Sequence, residues 1–151
     1  MKRIERSALV EYSAEQMYAL VERIEDYPAF LPWCLSTSVT ERSGERTVAT
    51  LEVGFRGVRQ SFSTENTNQR GRSMDMRLLQ GPFKTFSAHW SFVGLGDSGA
   101  RIAFTLSYEF SSRLLARALE PVFDHIADTM VDAFIRRAQS VYGPGGRAHA
   151  N

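Results

Sequence analysis

The chain has 151 residues, of which 43% are apolar, and this suits one domain with a single core and leaves no room for a second. Its 18 Lys and Arg residues almost balance its 17 Asp and Glu residues, so no overall field draws it to DNA, and any contact with RNA or anionic lipid must be local. The one cysteine, Cys34, excludes an intramolecular disulfide, and no apolar run is long enough to cross a bilayer, so we predict a cytoplasmic protein with at most peripheral contact at the inner face of the membrane.

The N-terminal part predicts a strand, a helix and an irregular segment. Residues 4–12 alternate weakly in polarity, as a strand does, and Ser13 with Gln16 forms a capping-box pattern. The apolar residues that follow recur at helical spacing: Met17, Leu20, Val21 and Ile24. Residues 26–28 are expected to end this helix. Residues 27–34 contain three aromatics and two prolines, which predicts a turn or a short helical segment.

From residue 35 to residue 110 the apolar period changes to two. Turn signals at Ser43-Gly44, Gly57, Arg70-Gly71, Gly81-Pro82 and residues 96–99 divide this stretch into six strands of an antiparallel meander. The clearest strand is 100–110, where every second residue is large and apolar: Ile102, Phe104, Leu106, Tyr108 and Phe110. The pattern indicates a sheet with one buried and one solvated face.

The last element is a long helix. Ser111 or Ser112 can cap it, and an apolar stripe continues to about Tyr142. Pro121 is expected to kink this helix or divide it in two, and Gly143-Pro144 should stop it. A helix of 30 residues spans roughly 45 Å. We therefore predict an α+β helix-grip fold, in which a curved antiparallel sheet of about seven strands wraps around the long C-terminal helix and leaves a cavity between the layers. Residues 1–143 form the domain, and residues 144–151 a flexible tail.

Two short segments carry a family resemblance. Residues 27–34, Tyr-Pro-Ala-Phe-Leu-Pro-Trp-Cys, resemble the first signature of the coenzyme Q-binding and ribosome association toxin family, which has a START-like fold of the polyketide cyclase/dehydrase type. Residues 81–84, Gly-Pro-Phe-Lys, match its second signature. The spacing to Trp90 and Phe92 and the closing stretch 134–142 also fit, so the resemblance covers residues 1 to about 143.

The resemblance implies a domain that binds a hydrophobic ligand. In the eukaryotic branch of the family this ligand is coenzyme Q, and binding supports respiration without catalysis. A bacterial branch is described instead as a toxin that binds the large ribosomal subunit and blocks subunit joining. Both branches share the signatures, so the signatures do not choose between them.

Catalytic and metal-binding patterns are weak. The three histidines, His89, His125 and His149, fall in a strand, a helix and the tail without a nucleophile motif. Asp124, His125 and Asp128 lie within one and a half helical turns, and Asp124 and Asp128 can share one face, but a solvated polar face explains them better than a metal site. We predict no catalytic residue, no metal and no covalent cofactor. A cyclase-like enzyme on the same fold stays an alternative, and it would need acid and base groups inside the cavity.

We predict ubiquinone or a similar polyisoprenoid lipid as the bound ligand. The candidate contacts are adaptable Met side chains and aromatics with polar handles: Phe30, Trp33, Met74, Met76, Trp90, Phe104, Tyr108, Met130 and Phe134. For the alternative, contact with the large ribosomal subunit or another anionic surface, the candidates gather around one predicted hairpin: Arg56, Arg59, Arg70 and Arg72. A solvated sheet face is the competing explanation of these arginines.

Overall fold

The structure, a computed structural model, describes residues 1–144. Seven strands form one antiparallel sheet: β1 (Lys2–Val10), β2 (Cys34–Ser43), β3 (Arg46–Phe55), β4 (Val58–Gln69), β5 (Ser73–Gln80), β6 (Phe83–Leu95) and β7 (Gly99–Phe110). The spatial order is β1-β7-β6-β5-β4-β3-β2, so β1 lies beside β7, and the other strands follow as a meander. Three helices complete the fold: α1 (Ala14–Glu22), α2 (Tyr27–Phe30) and α3 (Arg113–Tyr142).

The capping box at α1 forms as the sequence predicts. The Ser13 side chain accepts a hydrogen bond from the backbone of Gln16, whose side chain accepts one from the backbone of Ser13. The helix is shorter than its apolar spacing indicates, because it ends at Glu22, and Ile24 begins a separate 3₁₀ turn, Ile24–Asp26. The following signature segment forms α2, with Pro28 in the first turn, where its missing N–H costs nothing.

The long helix α3 is one uninterrupted element, so it is not divided at Pro121, which was one of the two outcomes that the sequence analysis expected. Proline removes one backbone hydrogen bond, which is a local cost. The residues around it, Leu119, Val122 and Phe123, are buried in the core, and this tertiary packing holds the helix through the proline. The helix contacts β1, β3, β4 and β7, so it crosses the sheet.

The concave face of the sheet packs against α3. On β7 the predicted alternation holds, because Ile102, Phe104, Leu106 and Tyr108 are buried against the core while Arg101 is exposed. The helix-grip fold predicted from the sequence is confirmed. The predicted flexible tail falls mainly on residues 145–151, which lie outside the described residues and leave that prediction open. Among residues 1–144, no helix is long and apolar enough to span a membrane.

The second signature, residues 81–84, forms the β5–β6 turn and joins it to α3. A side chain on Gly81 would approach the Cβ atom of Phe62 to 2.8 Å, which explains why glycine is needed there. The carbonyl oxygen of Pro82 accepts hydrogen bonds from both the backbone and the hydroxyl of Ser111. Phe83 is buried and packs edge-on against Phe123. The signature thus fixes the start of α3 against the sheet.

Candidate functional site

A cavity of about 60 Å³ lies between the sheet and α3. Its wall is almost entirely apolar and draws on the first signature segment, five strands and α3: Ile24, Tyr27, Trp33, Leu51, Phe62, Thr64, Asn66, Met76, Phe86, Ala88, Trp90, Phe104, Leu106, Phe123, Ile126 and Met130. The sequence analysis expected a cavity between these two layers; of its candidate contacts on α3, Met130 lines the cavity and Phe134 does not. The cavity is smaller than expected, because a cavity that holds one benzene ring measures about 150 Å³.

Two polar side chains of β4 belong to this apolar wall. Thr64 and Asn66 are 2% and 1% exposed, and the Thr64 hydroxyl donates to the Asn66 side-chain oxygen at 2.8 Å. The Asn66 side-chain N–H group has only the Met74 sulfur as a partner, at 3.9 Å. Thioether sulfur is a weak acceptor, so this buried donor is poorly satisfied.

Trp33 supplies a second such donor. Its ring is 3% exposed, and its Nε1 atom has no hydrogen-bond partner among residues 1–144. Trp33 also lines a surface depression outside the cavity, which we call the outer cleft and whose other residues are Pro32, Leu35, Gly54, Phe55, Arg56, Gly57, Val58, Arg59 and His125. The indole therefore stands between the cavity and the outer cleft.

The rest of the first signature braces the core. Leu31 is fully buried, and the Tyr27 hydroxyl donates to the Val21 carbonyl oxygen. The rings of Tyr27 and Phe30 pack edge-on against Phe134 of α3, with centroids 5.5 and 5.2 Å away. The segment thus packs into the core, and its aromatic residues do not form an open entrance to the cavity.

The nine predicted ligand contacts divide into two groups. Five line the cavity: Trp33, Met76, Trp90, Phe104 and Met130. Four do not line it: Phe30, Met74, Tyr108 and Phe134. Phe30 of α2 and Phe134 of α3 pack edge-on against each other instead. Met74 and Tyr108 are buried beside the cavity. Met74 contacts Asn66, and Tyr108 packs against Phe83. Whether any of the nine binds a ligand stays a prediction.

The sequence analysis missed Thr64 and Asn66. They fall on β4 in phase with the buried Phe62, where alternation puts side chains on the concave face. Two polar residues on the buried face of a strand would have indicated a site, since a buried polar group usually has a hydrogen-bond partner or a functional role.

The predicted arginine cluster does not form on one hairpin. Arg56 and Arg59 lie at the β3–β4 turn, whereas Arg70 and Arg72 lie at the β4–β5 turn, roughly 36 Å away along β4. The reason is that β4 is long, and its two ends belong to opposite ends of the sheet. Arg70 also pairs with Glu15 at 3.0 Å. The four residues form two separate basic sites.

The remaining chemical candidates have structural partners. Asp124 pairs with Lys2 and Asp128 with Arg6, so both tie α3 to β1. The His125 ring stacks on Phe55 at 4.2 Å. On the outer face of the sheet, His89 Nδ1 lies 2.6 Å from a carboxylate oxygen of Asp75. Within residues 1–144 no group of three or more His, Cys, Asp or Glu side chains is arranged to hold a metal ion.

Cys34 follows Trp33 in the sequence and is buried. Burial raises the pKa of its thiol to about 12. Because the thiolate is the reactive form, we expect iodoacetamide at pH 8 to label the native protein at least about 100-fold more slowly than the urea-unfolded protein. The labelling rate should rise with pH as the thiol ionises. Equal rates in the two states would contradict a buried, protonated Cys34.

A family model described as polyketide cyclase / dehydrase and lipid transport matches residues 10–135. The chain belongs to this family. Ribosome association toxin RatA of Vibrio cholerae is 41% identical over 143 residues, which are 95% of this chain and 99% of that protein. Mitochondrial coenzyme Q-binding protein COQ10 of Dictyostelium discoideum is 28% identical over 138 residues, 89% of this chain and 67% of that protein. The resemblance drawn from the two signatures is confirmed.

Solved structures of low sequence identity share the fold. The Zhui aromatase/cyclase from Streptomyces superposes with a TM-score of 0.82 at 14% identity, covering 95% of this chain and 98% of that one. A START superfamily protein from Mycobacterium smegmatis superposes with a TM-score of 0.77 at 19% identity, covering 92% and 98%. These likenesses establish the helix-grip architecture alone.

Proposed function

We propose that this protein binds an apolar ligand that carries hydrogen-bond acceptors, such as ubiquinone or a related polyisoprenoid quinone, and that it supports quinone function without catalysis. The observation that carries the proposal is the pair of poorly satisfied N–H donors in an apolar wall, Asn66 Nδ2 and Trp33 Nε1. A quinone ring offers apolar faces and carbonyl oxygens, which match such a wall. The coenzyme Q-binding relative supports this choice of ligand.

Binding requires the cavity to widen, because about 60 Å³ is less than half of what one benzene ring needs. Met76 and Met130 are the adaptable parts of the wall, since both are half-buried and unbranched. Trp33 is the part that faces the outer cleft. We therefore propose that the ligand arrives through the outer cleft as the indole and the two methionines shift.

The cavity wall supports binding better than catalysis. Among the described residues it contains no Asp, Glu, His, Lys or Arg side chain, so no acid and base converge on a bound molecule. Its one ionisable group is the Tyr27 hydroxyl, whose pKa burial raises above the usual value. A cyclase-like reaction would need groups that this wall does not offer.

The test is extraction of lipid from the purified protein, followed by titration of the emptied protein with a short-chain ubiquinone. We expect Asn66→Leu to weaken quinone binding by about fivefold to tenfold, the value of one hydrogen bond of about 1–1.5 kcal/mol. Asn68→Leu is the matched control, because Asn68 is buried on the same face of β4 but does not line the cavity. No bound quinone and no affinity in the wild type would refute the proposal.

A second candidate function is association with the ribosome, and the RatA relatives favour it. Contact with ribosomal RNA would depend on cations and fall with salt. The two separate basic sites allow a test of position. We expect charge reversal at just one of the two pairs, Arg56 with Arg59 or Arg70 with Arg72, to abolish co-sedimentation with large ribosomal subunits at a salt concentration where the wild type still sediments.

In this test the pair that leaves sedimentation unchanged serves as the control for the other. The quinone proposal expects both reversed variants to retain ligand, because none of these arginines lines the cavity. If the wild type sediments with ribosomes and carries no lipid, ribosome association becomes the leading proposal in place of quinone binding. If it does not sediment at low salt, the ribosome candidate is excluded.

A further inference from the structure

One end of the molecule is basic and apolar at once. Three segments form it: residues 55–59 around the β3–β4 turn, residues 79–84 around the β5–β6 turn, and residues 111–117, which lead into α3 and form its first turn; together we call them the basic rim. They carry five of the 18 cations of the chain, Arg56, Arg59, Lys84, Arg113 and Arg117, and none of its 17 acidic residues. Because the whole chain has a net charge of only +1, this charge is strongly asymmetric.

The three segments lie at the same end of the sheet, where β4 and β6 begin and β5 and β7 end. Ser111 donates two hydrogen bonds to the Pro82 carbonyl oxygen, which ties the β5–β6 turn to the start of α3. Phe55, at the β3–β4 turn, stacks on His125 of the same helix. His125 lies eight residues after Arg117, which is about 12 Å along the helix axis. The basic rim therefore borders the outer cleft.

Four of the five rim cations are available for an external partner. Arg56, Arg59, Arg113 and Arg117 make no ion pair with any of residues 1–144. The fifth, Lys84, pairs with Glu109 at 3.9 Å, and Glu120, the next acid along α3, lies 3.7 Å from Lys2. Most of the positive charge of the rim thus has no acidic partner among these residues.

Exposed leucines stand among these cations. Leu114 is 77% exposed between Arg113 and Arg117, Leu79 is 46% exposed in the β5–β6 turn, and Leu35 is 38% exposed at the outer cleft. An RNA surface would use the cations and leave the leucines in water. A bilayer with anionic headgroups uses both, since cations meet the headgroups and leucines enter the acyl boundary.

We propose that the basic rim docks this protein onto an anionic lipid bilayer. Docking in this orientation places the outer cleft and Trp33 against the lipid, so that an apolar molecule can pass without crossing water. The docking step goes beyond the proposed ligand binding and does not require it, because it depends on surface residues that are not part of the cavity wall.

The test is flotation of the purified full chain with phosphatidylcholine vesicles that contain phosphatidylglycerol, and with pure phosphatidylcholine vesicles. We expect binding only to the anionic vesicles, weakening with salt. Arg113→Glu with Arg117→Glu should lower the affinity tenfold or more, on the order of the loss for two reversed charges at a membrane surface. These variants should fold, because negative charge is favourable near a helix N-terminus. Leu114→Ser should weaken binding as well.

The opposite end of the sheet offers matched controls. Leu9 is 73% exposed on β1 and pairs in register with the exposed Arg101. We expect Leu9→Ser and Arg101→Glu to leave vesicle binding unchanged. The proposal is overturned if the wild type does not float with anionic vesicles, if the control variants lose as much binding as the rim variants, or if the rim arginines are needed only for ribosome sedimentation.

Discussion

Replacing Trp33 by alanine is expected to lower the free energy of unfolding by about 3–5 kcal/mol, the usual cost of removing a large buried aromatic side chain. The indole is 3% exposed and separates the cavity from the outer cleft, so its loss joins the two spaces. Urea denaturation followed by circular dichroism measures the change. Cys34 should also become faster to label, because its neighbour no longer shields it.

Trp33→Phe is the control for this variant. Phenylalanine keeps an aromatic ring in the wall and removes the unpartnered N–H group, so the loss of stability should be much smaller. Quinone affinity should nevertheless fall, since one of the two donors proposed for the ligand is gone. A Trp33→Ala protein as stable as the wild type would show that the indole does not support the core.

Replacing Met130 by tryptophan is expected to lower quinone retention about tenfold or more. Met130 lines the cavity from α3, and a larger ring there occupies space that the ligand needs. Overpacking a core position costs typically about 1–3 kcal/mol, so the variant should still fold while binding loses a comparable amount. Bound lipid, measured by mass spectrometry after extraction, reports the effect.

Met130→Leu is the matched variant, because it conserves volume and should retain ligand. Val141→Trp places the same large ring on an exposed position of the same helix, outside both the cavity wall and the basic rim, and tests whether tryptophan itself disturbs α3. Retention of quinone by the Met130→Trp protein would place the ligand elsewhere and remove this cavity as its site.

The sequence predicted the fold well because its strongest signals are periodic. The alternation on β7 and the stripe along α3 both arise from one-sided burial, which the residues themselves record. Division of α3 at Pro121 was expected because a local rule about backbone hydrogen bonds was given more weight than packing, and packing against the core keeps the helix continuous there. Local signals predict elements, and tertiary contacts decide their continuity.

The site was harder to predict than the fold. Alternation tells which face of a strand is buried, but not which buried residues border a gap, so Phe134 and Met130 look alike in the sequence and differ in the structure. The arginines at the two ends of β4 were assigned to one place because proximity in sequence was taken for proximity in space. In an extended strand, 11 residues span most of the width of a domain.

The pairing of β1 with β7 has a consequence for how the chain is made. The first strand, Lys2–Val10, pairs with β7, Gly99–Phe110. During synthesis the sheet therefore cannot be completed until β7 has left the ribosome. Contacts of such large sequence separation slow folding, because the loop between them must be ordered first. Until α3 follows, α1 and the first signature segment cover just part of the aromatic concave face. A nascent chain of this protein therefore depends on α3 to bury the rest of that surface.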